Sequence, residues 1–224
     1  MHVTACAVGV TVHAVGLCTY FGLRPRETRQ IEAAKWCGPL VFFTWQTHVV
    51  GVCWFVGGLV HNHLRHDQRG GLGDALVLTL PLTFAMGSAL TILFYTLLFD
   101  WRTCCRSKMT STMMTRTAAA DHLEHAFALP AALLNAFTVQ LVDPPSFSVV
   151  AVSVICFGAW YAALLTTNYV LTAGAWPYPI LHDAHGKLGA VGVAGLMVAA
   201  CAVLLACGLC GKLIVASRID EDES

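Results

Sequence analysis

Nearly uncharged apolar stretches, separated by short polar links, set the pattern of this chain: Val3–Gly22, Pro39–Val60, Ala75–Phe99, Ala118–Val142, Phe147–Leu171 and Leu188–Ala216. Each holds about the 20 residues a helix needs to cross the hydrocarbon core of a bilayer. The expected fold is all-α, a polytopic membrane protein built as a bundle of six transmembrane helices. The first stretch lacks a basic leader region and runs into Thr19, Tyr20 and Phe21 rather than a small-residue cleavage site, so it reads as a span. Residues 1–224 are then a single transmembrane domain, with an acidic tail at 217–224. Pro81 and Pro130 fall inside predicted helices, where kinks are expected.

Composition agrees with lipid as the solvent. Hydrophobic residues make up 57% of the 224 and charged residues 12%, against roughly 45–50% and 25% in soluble domains. Thirteen Lys and Arg balance thirteen Asp and Glu, so no basic field exists to recruit nucleic acid. Six spans place Arg24, Arg26, Arg29, Lys35, Arg102, Arg106, Lys108, Arg116 and Lys187 on one side and Arg65, Arg69, Lys212 and Arg218 on the other. The positive-inside rule makes the first side cytoplasmic. Most of the ten cysteines lie in apolar runs, where cysteine packs as a small hydrophobe. Cys207 and Cys210 form a C-x-x-C with no second pair beside it, and Cys104-Cys105 follow a span, a place where palmitoylation occurs.

Ionisable residues within spans are costly and mark functional candidates. Two spans carry a marked set. The second holds Thr44, Gln46, Thr47 and His48; the fourth holds Asp121, His122, Glu124 and His125, with Asn135 and Gln140 deeper. Both start from the same side, and at 1.5 Å per residue Thr44 lies about 7–8 Å in and His125 about 10–11 Å in. Thr44, Thr47 and His48 share one helical face, and Asp121 and His125 another.

A hydroxyl, an imidazole and a carboxylate at one level are the parts of an acyl-transfer site: nucleophile, base, and the group that fixes the base's tautomer. Thr44, His125 and Asp121 fit those roles. The plainer alternative is that threonine hydroxyls bond back to their own helix or glue helices together. Trp176 and Tyr178, before the last span, read as an interfacial belt. His182 and His185 beside them read as solvated. His61, His63 and His66 lie on the opposite side without the carboxylate or cysteine partners of a built metal site, and no metal is assigned.

At these residues the sequence resembles the androgen-induced family of small multi-pass membrane proteins, which hydrolyse fatty acid esters of hydroxy fatty acids. Phe42-Phe43-Thr44-Trp45 resembles the family's aromatic-flanked threonine. Asp121-His122-x-x-His125, with Pro130 five residues on, resembles its Asn-His-x-x-His and following proline. Trp176-x-Tyr178-Pro179 resembles its Trp-x-Tyr-Pro before the last span. Asp121 stands where the family has Asn, and Lys35-Trp36 lie farther upstream than the corresponding context, which keeps Thr47 as a rival nucleophile.

The resemblance implies a threonine nucleophile at Thr44 and a catalytic histidine at His125, with a lipid ester as substrate and no cofactor. His122, Thr47 and His48 are candidate oxyanion donors, and Arg116 or Lys35 a partner for a fatty carboxylate. Two other classes stay open: a haem-binding electron carrier using His48 with His122 or His125, and a non-catalytic receptor or scaffold. The expected location is an integral, multi-pass position in a membrane.

Overall fold

The computed structural model describes residues 3–22, 35–64, 70–98, 119–138 and 145–222. Its long helices are α1 (Val3–Gly22), α2 (Phe43–His63), α3 (Gly70–Leu93), α4 (Ala128–Thr138), α5 (Phe147–Leu171) and α6 (Pro179–Asp222), with no strand among the described residues. A 3₁₀ turn, Gly38–Val41, leads into α2, and a π-helical turn, Phe94–Leu98, extends α3. A short helical segment, 119–125, precedes α4. The nine basic residues Arg24, Arg26, Arg29, Arg65, Arg69, Arg102, Arg106, Lys108 and Arg116, together with His66, Cys104, Cys105 and Gln140, lie outside the described residues.

The protein is an all-α membrane protein. α2, α3 with its extension to Thr96, α5, and α6 as far as Ser217 are each long and apolar enough to cross a bilayer, and α1 carries a shorter apolar stretch, Val3–Thr19. α3 is the central helix: 61% of its apolar window is buried, against 22% for α5 and α6. The outer helices instead turn Val152, Ile155, Val170, Val191, Val198 and Leu213 outward. An exposed apolar belt of this kind is the surface that lipid covers. The eight described cysteines are all free, with Cys207 buried and Cys210 exposed.

Of the two kinks expected at prolines, one is absent and one is present. α3 runs unbroken through Pro81, whereas the fourth stretch is divided by a turn at residues 126–127, just ahead of Pro130. Proline at 130 has no N–H for the carbonyl of Ala126, so the ladder fails there. The last helix starts at Pro179, before the expected Leu188, because proline is well suited to the first position of a helix. It then breaks at Gly189 (φ 63°, ψ −151°), a conformation open essentially to glycine.

α1 and α2 pack with backbone nearly against side chain. A Cβ on Gly16 would collide with the His48 ring, and one on Gly51 would sit 2.5 Å from the His13 ring. Small residues that admit a neighbour this closely are a common device for joining membrane helices. A Cβ on Gly195 of α6 would meet nothing within 4 Å. Overpacking a tight contact costs about 1–3 kcal/mol. Gly51→Ala is therefore expected to lower the thermal midpoint of the detergent-purified protein by several degrees, and Gly195→Ala to leave it unchanged or slightly raised.

Candidate active site

Thr44 lies in the first turn of α2, and the start of that helix is held from outside. Its N-cap, Phe42, supplies no side-chain cap, which is a problem where no water can satisfy the leading N–H groups. Two tyrosines solve it. The Phe43 N–H donates to Tyr178 Oη at 2.6 Å, Tyr178 Oη–H donates to Tyr161 Oη at 2.8 Å, and Tyr161 Oη–H donates to the Val41 carbonyl at 3.2 Å. Gln46 Nε2 adds a bond to the Leu40 carbonyl at 2.8 Å. The turn before α2 and its first residue are thereby closed into one hydrogen-bonded ring.

His125 is set with equal care. Its Nδ1 lies 2.6 Å from the main-chain carbonyl of Asp121, one turn earlier. A carbonyl only accepts, so Nδ1 carries the proton and Nε2 presents its lone pair. Thr44 Oγ1 donates to that Nε2 at 3.0 Å. The imidazole also stacks on Phe94, with centroids 3.8 Å apart and planes within 12°. The backbone behind it is held by Thr91. At the break ahead of Pro130, the Leu129 N–H donates to Thr91 Oγ1 at 3.2 Å, and Thr91 Oγ1–H donates to the His125 carbonyl at 2.5 Å. One hydroxyl thus bridges a gap that a regular helix would close by itself.

The remaining sequence candidates separate. Asp121 is buried, and it is the main chain of this residue, where its carboxylate was expected, that takes the His125 proton. Thr47 Oγ1 bonds back to the Phe43 carbonyl at 2.9 Å. His122 is exposed and pairs through Nδ1 with Tyr95 Oη at 2.7 Å. His48 turns toward α1, its Nε2 at 2.8 Å from the Glu124 carbonyl and its Nδ1 at 3.0 Å from His13 Nδ1. With both ring nitrogens engaged, His48 does not present the open nitrogen that axial haem ligation needs. Among the described residues no group of three or more potential metal ligands gathers. Trp176 stacks on Tyr169 at 4.4 Å, with His185 nearby at 6.0 Å, and His182 is exposed.

Thr44 and His125 both line a cavity of about 450 Å³ between α2, α3, α5 and α6. Its wall is almost wholly apolar, formed by residues such as Leu90, Phe94, Leu165, Leu181, Met197 and Leu204. Ile155 and Val198, also on that wall, are 60% and 69% exposed, so the cavity opens through the α5–α6 face toward lipid. The volume falls within the roughly 300–1,000 Å³ range of small-molecule sites.

The model of the FAR-17a/AIG1-like protein family matches residues 7–214. The chain belongs to the FAR-17a/AIG1-like family. This is the androgen-induced family that the three motifs resemble, and the match spans almost all of the 224 residues. No curated protein and no solved structure matches the chain.

Several residues that build the site in this FAR-17a/AIG1-like protein carried no sequence signal of their own. Thr91 is one of many threonines scattered in spans, and Tyr178 looks like an interfacial aromatic until its hydroxyl is seen on α2. Losing the Thr91 hydroxyl removes the bridge between a partly buried N–H and the His125 carbonyl, where an unsatisfied buried group costs about 1–3 kcal/mol. Thr91→Val is expected to destabilise the protein by a few kcal/mol in a detergent unfolding titration, while Thr91→Ser retains most of the stability.

Proposed function

We propose that this FAR-17a/AIG1-like protein is an intramembrane, threonine-dependent hydrolase of lipid esters, its natural substrates being of the kind represented by fatty acid esters of hydroxy fatty acids. The observation that carries the reading is the 3.0 Å contact between Thr44 Oγ1 and the lone-pair nitrogen of His125 at the wall of an apolar cavity. A hydroxyl and a base within hydrogen-bond reach, with the base held in one tautomer by a third group, is the arrangement that activates a weak nucleophile.

In the proposed reaction, His125 Nε2 takes the Thr44 proton as Oγ1 bonds to the ester carbonyl carbon. The tetrahedral oxyanion collapses, the carbon–oxygen bond to the alcohol breaks, and Nε2 returns the proton to the departing alkoxide. Water, deprotonated by the same nitrogen, then attacks the acyl-threonine, releasing the fatty acid and restoring the hydroxyl. Asp121 acts through its main-chain carbonyl, which accepts from Nδ1–H and stabilises the transient imidazolium. Developing negative charge on the substrate oxygen falls at the N-terminal end of α2, where the helix dipole is positive and the Thr44 N–H has no partner within the helix. The apolar cavity suits acyl chains, which stay in lipid while the ester reaches the base.

Purified protein is expected to hydrolyse a branched fatty acid ester. Thr44→Ala and His125→Ala should each lose at least two orders of magnitude in kcat/KM, while Thr47→Ala stays within a few-fold of the parent. Equal activity in all three variants would overturn the mechanism. An acylating or phosphonylating probe should label Thr44, with the modified peptide identified by mass spectrometry. Narrowing the cavity with Leu204→Trp should lower the ratio of long-chain to short-chain ester hydrolysis, measured across a series of acyl lengths.

A further inference from the structure

A second buried polar group lies behind the site, on the side of α1. His13 and His48 are 3% and 1% exposed, and the hydrolytic reaction uses neither. Their protons follow from their partners. The Glu124 carbonyl only accepts, so His48 Nε2 carries hydrogen and donates to it at 2.8 Å. His48 Nδ1 is then an acceptor, and His13 Nδ1–H donates to it at 3.0 Å. The His13 ring is seated in turn against Phe55, at 5.7 Å between centroids, and against Gly51, which leaves room for no side chain.

The carbonyl that His48 grips belongs to the residue immediately before His125. Thr91 grips the next one, the carbonyl of His125 itself. The two peptide planes flanking the Cα of His125 are therefore each fixed by a side chain from a different helix, beside the break where the Leu129 N–H goes to Thr91 Oγ1. We propose that His48, with its tautomer set by His13, is a positioning residue for His125: its Nε2–H donation to Glu124 holds the backbone that aims the imidazole at Thr44. This rests on the hydrolase reading above and adds α1 to the parts on which turnover depends. A displacement of about 1 Å in a reacting pair costs on the order of a hundredfold in rate.

The test uses the full chain in detergent, with kcat and KM measured separately on one medium-chain ester. Glutamine carries its amide nitrogen where histidine carries Nε2, so His48→Gln keeps the donor and His48→Leu removes it. The expected result is a tenfold or greater loss of kcat in His48→Leu with KM within about twofold, and recovery of most of that loss in His48→Gln. A His48→Leu variant with parental kcat, or a His48→Gln variant as slow as His48→Leu, overturns the proposal. If His48→Leu does not fold, the kcat of His48→Gln decides alone: close to the parent supports the donor role, and a tenfold loss in a folded protein defeats it. A parent without ester turnover, or a Thr44→Ala variant that retains it, overturns the hydrolase reading and this proposal together, and is distinguished from failure of the positioning role by the Thr44→Ala arm.

Discussion

A backbone inside lipid has no water to complete its hydrogen bonds, and one proline in the fourth apolar stretch makes that constraint decisive. Near Pro130 the ladder opens between His125 and Leu129, whose N–H goes to a side chain, and the main-chain carbonyls on either side of the His125 Cα take donors from other helices. They find Thr91 on α3 and His48 on α2. The same bonds that repair the break also fix the orientation of the imidazole beside it. A regular helix would have satisfied its own backbone there and left the ring's direction to side-chain rotamers alone.

The partner of that imidazole is placed by a similar logic at the opposite kind of defect, a helix beginning without a cap. The first N–H of α2 is answered by a tyrosine from the link before α6, and that tyrosine by another from α5. Thr44 therefore owes its position to residues more than a hundred positions away in the chain. Four helices converge on a contact of 3.0 Å, and each is tied there by hydrogen bonds to main-chain atoms as well as by apolar packing.

Of the six expected spans, the second, third, fifth and sixth correspond to helices long and apolar enough to cross a bilayer, legible because an uncharged apolar run of that length is rare in any chain that folds in water. Depth, shared helix faces and side-chain chemistry brought Thr44 and His125 together as candidates, with Thr47 as a rival on the same face, and the resemblance to the androgen-induced family selected Thr44 and His125. The tautomer-fixing atom differs from the expected one: a carboxylate at i−4 invites that role, yet the main-chain carbonyl of the same residue accepts from His125 Nδ1 at 2.6 Å. Thr91, Tyr161, Tyr178 and His13 were opaque for a common reason. Each has an ordinary use in a membrane helix or at its interface, and only the bundle's packing shows which main-chain atom each one answers. The early start of α6 was hidden because a polar segment containing His182, Asp183, His185 and Lys187 precedes its apolar run, with the break at Gly189 between them.

The opening of the cavity between α5 and α6, where Ile155 and Val198 stand on its rim, has a consequence for how concentration is to be understood. A molecule arriving by that route diffuses in two dimensions, and its supply is governed by its mole fraction in the leaflet rather than by its molarity in the surrounding buffer. Adding inert lipid or detergent would slow such a reaction by surface dilution while leaving the bulk amount of every reactant the same.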